Sequence, residues 1–454
     1  MPPDSGGSAT TSLPFLEKLG LHRRDLRAWA MYDWANSAFV LVIVTAVFPI
    51  YFQSVAAEGL SPDEATARFS WATTIALAIA AALSPALGAV ADFRAVRKKL
   101  LAATAGLGVV ATAGMFFLQS GDWLAALVLF ILGNIGLSLS FVFYDSLLPH
   151  IANNDEMDRV SSGGYALGYF GSGLLLVLNL AWIQKPEWFG IPDPATATRL
   201  TFLSVAIWWA VFSIPLFRRV AEPPRSIEAD ETPASSAIHA TFSRLLETLR
   251  DLKSLYGQAF LALLAMLVYN NGIGTIIRMA AIYAAAINIP QEHIIIAIVL
   301  VQFVGIPFSF LFGGLADRIG AKWAVMIGLA VYGVTGIVAY RMESTAEFYI
   351  LALLIATVQG GTQALSRSLF ASLIPKHKTS ELFGFFSVFE KGSGILGPLI
   401  FSLAIAITGS TRDAVLSVIP FFILGAALLG FVNVAEGRNA ARFAEEKLLR
   451  RPTA

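Results

Sequence analysis

GAVADFRAVRKK (residues 88–99) and GGLADRIGAKW (residues 313–323) are two copies of one turn. Each closes an apolar run, sets an aspartate four residues after a glycine, and follows it with basic residues before the next apolar run. The surrounding order repeats as well. MYDWANSAF (31–39) matches VYNNGIGTI (268–276), SLLPH (146–150) matches SLIPK (372–376), and GYALGYFGSG (164–173) matches FFSVFEKGSG (385–394), at offsets of about 221 to 237 residues. Four matched pairs in one order argue for a duplicated unit whose parallel halves are related by an axis along a membrane normal.

The unit is a membrane bundle. Of the 454 residues, 56% are hydrophobic and 14% charged, with a mean hydropathy of +0.68, where a soluble domain carries about 25% charge. A spanning helix needs about 20 apolar residues. Runs of that kind fall at 28–54, 69–91, 99–119, 123–149, 160–184, 199–217, 256–287, 293–316, 322–341, 347–374, 382–407 and 412–434. The expected fold is an all-α membrane protein of twelve transmembrane helices in two pseudo-symmetric six-helix bundles. Expected boundaries are a tail at 1–27, bundles at 28–217 and 256–434, a linker at 218–255 and a second tail at 435–454.

Lys and Arg placement sets the orientation, because positive charge is retained on the cytoplasmic side. With the N-terminus inside, 24 of the 32 basic residues fall on cytoplasmic segments, 5 on outer loops and 3 within spans. Both termini are therefore expected in the cytoplasm. The polar start, MPPDSGGSATTSLP, carries no secretory signal pattern. In the linker, Phe242, Leu245, Leu246, Leu249 and Leu252 share one face of an expected helix at the membrane surface.

Composition also narrows the chemistry. A net charge of +1 gives no nucleic-acid footprint, and the absence of cysteine removes disulfides, thiolate metal sites and cysteine nucleophiles. The five histidines fall at tails, loops or span ends, and no carboxylates have metal-ligand spacing, so no catalytic group, metal or cofactor is expected. No GxxxxGK[ST] loop for ATP occurs.

Six charges nevertheless lie inside spans: Asp33, Asp145, Arg278, Arg367, Glu390 and Lys391. Left unpaired at about 2.5–3.5 kcal/mol each, they would cost roughly 15 kcal/mol or more. They must pair or face water. All lie on spans 1, 4, 7, 10 and 11, and the first four of these are equivalent positions in the duplicated halves. Polar residues at helical spacing accompany them: Asp33, Asn36 and Ser37; Asn134, Ser138 and Asp145; Asn271, Thr275 and Arg278; Gln359, Gln363 and Arg367. Two readings stand at this point: ion pairs that pack helices together, or a wet mixed-charge cavity.

The duplicated GxxxD motif followed by basic residues resembles the major facilitator superfamily signature. YDWANSAF, YDSLLPHI, YNNGIGT, LADRIG, GGTQALSRSLF and FGFFSVFEKGSGILGP resemble, more narrowly, its unknown major facilitator branch, which is bacterial and similar to the autophagy-related vacuolar amino-acid effluxers of fungi. Two residues depart from the pattern: Phe93 stands where a basic residue is usual, which shifts the first gate onto Arg94, Arg97 and Lys98, and Asn271 stands where relatives often carry Asp.

The resemblance implies a secondary transporter working by alternating access in a bacterial inner membrane, with a small solute and the bilayer as partners, protons as the candidate coupling ion, and a monomeric state. Arg278 and Arg367 are candidates for holding a carboxylate. Asp33, Asp145 or Glu390 would bind an amine or carry a proton, Lys391 would restrain Glu390, and Asn36, Asn271 and Gln363 would line the same site. Candidate gating residues are Gly88, Asp92, Arg94 and Arg97 in one copy and Gly313, Asp317 and Arg318 in the other. Alternatives on the same scaffold are a lipid or drug exporter, or a non-transporting receptor or scaffold.

Overall fold

A computed structural model describes residues 14–224, 249–286 and 289–449, and every described secondary element is helical. The membrane helices of the first half are α1 (Arg24–Ala56), α2 (Pro62–Arg94), α3 (Arg97–Phe117), α4 (Trp123–Ile151), α5 (Met157–Gln184) and α6 (Pro194–Arg219). Those of the second half are α7 (Gly257–Ala286), α8 (Gln291–Ile319), α9 (Ala321–Arg341), α10 (Thr345–Ser372), α11 (Thr379–Thr408) and α12 (Arg412–Gly430). An amphipathic helix, α13 (Val434–Leu449), follows. Among the described residues 11 helices qualify as spans by length and apolarity, and α11, 30 residues long, completes the twelve.

Local chemistry sets the ends. Ser61 and Asp193 cap α2 and α6 ahead of Pro62 and Pro194, and Ser344 with Glu347 forms a capping box on α10. Each duplicated turn breaks its helix at a residue with positive φ. Ala95 (φ 50°) ends α2 and Gly320 (φ 83°) ends α8, both in the left-handed region. Lysines then tie the turns down. Lys98 Nζ donates to the carbonyls of Phe217 and Val220 at the end of α6, and Lys322 Nζ to those of Gly430 and Val432 at the end of α12.

Large apolar side chains cover the outside: Val110, Phe117, Ile407 and Phe431 are each at least 70% exposed, as lipid contact requires. Inside, Trp29, Tyr32, Tyr144 and Trp209 are fully buried, and Phe48 stacks on Phe130 at 5.1 Å. Of the expected linker helix, residues 225–248 lie outside the described part. Within it, Leu252 is fully buried in the protein and Asp251 pairs with Lys378 at 3.6 Å, so this turn docks on the protein.

The halves meet along two seams, α2 against α11 and α5 against α8. Their closest approaches lie near the face that carries the start of α1 and the end of α12, the terminal face. Glycine makes these approaches possible. A Cβ on Gly88 would strike the Ser380 carbonyl, one on Gly384 the backbone of Ser84 and Pro85, and one on Gly313 the Ser162 side chain and the Arg159 backbone. Gly88→Val should therefore wedge the first seam apart, overpacking costing about 1–3 kcal/mol. With Ser387→Cys as the sole thiol, a membrane-impermeant maleimide is expected to label the Gly88→Val protein at least about tenfold faster, tenfold being about 1.4 kcal/mol; equal rates would refute the wedge.

Candidate functional site

Arg367, five residues from the end of α10, is 2% exposed and reaches across to the first half. Its Nη1 donates to Asp33 Oδ2 at 3.2 Å and to Asp145 Oδ1 at 3.1 Å, and its Nη2 donates to Asp33 Oδ2 at 3.2 Å and to the Ser161 carbonyl at 3.0 Å. Nε donates to Ser161 Oγ at 2.9 Å, and that hydroxyl donates to the Ala364 carbonyl at 2.7 Å. One guanidinium thus ties α10 to α1, α4 and α5. Aromatic faces enclose it, with Cζ 4.8 Å from the Trp29 ring and 4.7 Å from that of Tyr165. Trp29 stacks on Tyr144 at 4.5 Å. Gly164 leaves the space, since a Cβ there would press on Asp33 Oδ2, Trp29 and Arg367 Nη2.

Glu390 and Lys391 sit deeper. Glu390 is eleven residues into α11, about 16 Å along a helix. Lys391 Nζ lies 3.2 Å from Glu390 Oε2 and 6.0 Å from the Phe141 ring of α4, so the pair faces the other half. The Glu390 side chain is 42% exposed and interacts electrostatically with Asp145.

Nearer the terminal face lies a second charged layer. Asp92 pairs with Arg97 (Nη2–Oδ1 2.6 Å) while accepting the backbone amides of Ser380 at 3.1 Å and Glu381 at 2.9 Å, so a carboxylate of α2 caps the N-terminus of α11. Arg97 Nε donates to Ser380 Oγ at 2.9 Å, and Ser380 Oγ to Ser146 Oγ at 3.0 Å. The equivalent site in the second copy is looser: Asp317 makes one ion pair, with Arg159 at 3.3 Å. His150 contacts Thr379 Oγ1 at 3.1 Å, and Ser368 Oγ donates to Asp158 Oδ1 at 2.5 Å, both across the halves.

The remaining expected residues divide. Asn36 is fully buried, with neither side-chain atom hydrogen-bonded among the described residues. Asn271 is committed within its own half, donating to the Leu267 carbonyl at 2.6 Å and accepting the Gly397 amide at 2.9 Å. Gln363 is half-buried on the Arg367 stripe. Arg94 and Arg318 are exposed on the terminal face, and Arg97 is the cation that pairs with Asp92. The Arg278 side chain lies outside the described residues. Sequence reasoning missed Ser161, Gly164, Ser380, Arg159 and the cage rings Trp29 and Tyr165; the YD dipeptide occurring in both α1 and α4 marked only Tyr144, which stacks on Trp29.

Twelve membrane helices in two equivalent sets of six, packed against each other at the duplicated glycine–aspartate turns, define a transporter of the major facilitator superfamily. The chain belongs to the family described as vacuole effluxer Atg22 like, whose profile matches residues 64–442. It is 38% identical over 407 residues to the MFS-type transporter YxiO of Bacillus subtilis, covering 89% of this chain and 94% of that protein. It is 24% identical over 524 residues to autophagy-related protein 22-1 of Phaeosphaeria nodorum, covering 92% of each. Similar folds are those of the human organic anion transporter MFSD10 (TM-score 0.69, 14% identity, 90% of this chain and 99% of that one) and the proton:xylose symporter XylE (TM-score 0.65, 15% identity, 95% and 99%).

Removing one partner from a buried ion network leaves uncompensated charge and costs about 3–5 kcal/mol, whereas replacing the whole network by uncharged groups is often neutral. Arg367→Met should accordingly lower the thermal unfolding midpoint sharply, and adding Asp33→Asn with Asp145→Asn should restore most of the loss. A triple variant no more stable than Arg367→Met would contradict the pairing.

Proposed function

We propose that the chain moves a small zwitterionic solute, an amino acid or a close relative, by alternating access across a bacterial cytoplasmic membrane, as a monomer, with protons as the coupling ion and the terminal face inside. The supporting observation is the Arg367 bridge. Three buried charges from opposite halves are satisfied only while the terminal face is closed. Opening that face strands them unless something takes their place.

A zwitterion supplies both replacements. Its carboxylate offers Arg367 the planar, two-oxygen acceptor that a guanidinium fork prefers, and its ammonium offers Asp33 or Asp145 a cation. The loaded carrier can then open, while the empty one stays shut by the cost of unpairing. Glu390 is the proton carrier in this scheme, because it faces open space and is held by Lys391 alone among the described ion pairs. The surplus of Lys and Arg on the terminal face supports the orientation, and the effluxer description of the family favours export.

Proteoliposomes holding the purified chain are expected to exchange at least one amino acid of a full panel, and Arg367→Lys, which loses the fork, should fall at least about tenfold, the loss of one good charged hydrogen bond being worth about 1.5–3 kcal/mol. Glu390→Gln should keep exchange but lose accumulation driven by a pH gradient. Wild-type flux by Arg367→Ala would exclude the zwitterion reading and favour an apolar cargo.

A further inference from the structure

A cavity of about 240 Å³ opens on the terminal face, apart from the Arg367 site. Its walls come from both halves. Pro149 and Asn154, from the end of α4 and the turn after it, form one side; Lys376, Arg438, Arg442 and Glu445, from the turn before α11 and from α13, form the other. Helix α13 is fastened to the second half: Gly437 packs on Leu373, Arg438 Nε donates to Ser372 Oγ at 3.3 Å, and Glu445 Oε1 accepts the Lys376 amide at 2.8 Å. The cavity is therefore a cleft between bodies that separate when the gate opens.

Its charge is unbalanced. Three cations line it against one carboxylate, and that carboxylate already serves a backbone amide. Arg438 is partly compensated by Asp158, which lies within electrostatic range. Arg442 Nη2 donates to Asn439 Oδ1 at 2.6 Å, while the Lys376 ammonium takes no partner among the described residues. Retention of positive charge on a cytoplasmic face accounts for cations being there, but not for three of them converging on one concave cleft. Two guanidinium groups, one ammonium and the Asn154 amide make a donor set matched to a tetrahedral oxyanion.

We infer that this cleft binds a phosphate group, free or as a phosphomonoester, and that the bound anion holds the terminal face closed. The coupling follows from the geometry: a ligand touching Asn154 and Arg442 together binds only when the halves are together. The opening equilibrium then falls by a factor of 1 + [L]/Kd, tenfold at nine times the dissociation constant. The coupling rests on the alternating-access reading, whereas the site itself does not.

Two measurements separate them. Inorganic phosphate, titrated against chloride at equal ionic strength, should raise the unfolding midpoint of the purified full chain by at least about 2 °C, and should fail to do so in Lys376→Gln/Arg442→Gln. Both positions are exposed, so folding should survive, and Asn154→Ala provides a second variant from the opposite half. With Ser162→Cys as the sole thiol in the α5–α8 seam, phosphate should slow maleimide labelling about tenfold at saturation, again only when the cations are present. An equal shift with chloride, or an unchanged shift in the double variant, overturns the site. A thermal shift with unaltered labelling overturns the coupling. If phosphatidic acid vesicles slow labelling where phosphatidylcholine and free phosphate do not, the site stands and its ligand is a lipid headgroup.

Discussion

The buried guanidinium of Arg367 ties the two halves together on the terminal side. Arg367 spends its donors on two carboxylates and a serine that belong to three helices of the other half. In a medium without water such a group is either fully satisfied or severely destabilising. The rest of the arrangement follows from that demand. Gly164 must lack a side chain, Trp29 and Tyr165 must stack over the cation, and α10 must lie close against α5. An interaction that strong would lock an ordinary protein. Here the locking groups are one cation from the second half and two carboxylates from the first, so each half supplies what the other lacks.

The outer layer of charge behaves differently in the two copies. In the first, Asp92 binds a side chain and two backbone amides together; in the second, Asp317 has one guanidinium and is more exposed. Both turns set an aspartate four residues after a glycine, but the first aspartate makes more contacts across the halves than the second. Phe93 is part of this divergence. Asp92 is met by Arg97 from the following helix, buried and shared with Ser380.

Much of this was legible from residue order alone. Twelve spans, the repeat and the polar stripes came from apolar run length, offset and helical spacing. Spacing places residues on a face but does not say which face of another helix it meets. Hence Asp33, Asp145 and Arg367 could be grouped before their mutual pairing was known, and Asn271 could join the same stripe as Thr275 although its amide is turned to Gly397 within its own half. Ser161 and Gly164 carry no charge and break no pattern, so nothing in the chain marks them until the guanidinium is seen resting there.

Helix α1 contains one more property worth following. After Ala38 its backbone passes into a π-helical stretch, Phe39–Ala46, where the ordinary ladder gives way to wider bonds such as Val47 N to Val42 O at 2.8 Å. A rod interrupted in this way does not transmit torque faithfully. The break divides the first helix into a piece that carries Asp33 to the Arg367 bridge and a distal piece whose Phe48, Tyr51 and Phe52 are buried in the bundle core, so different neighbours hold the two.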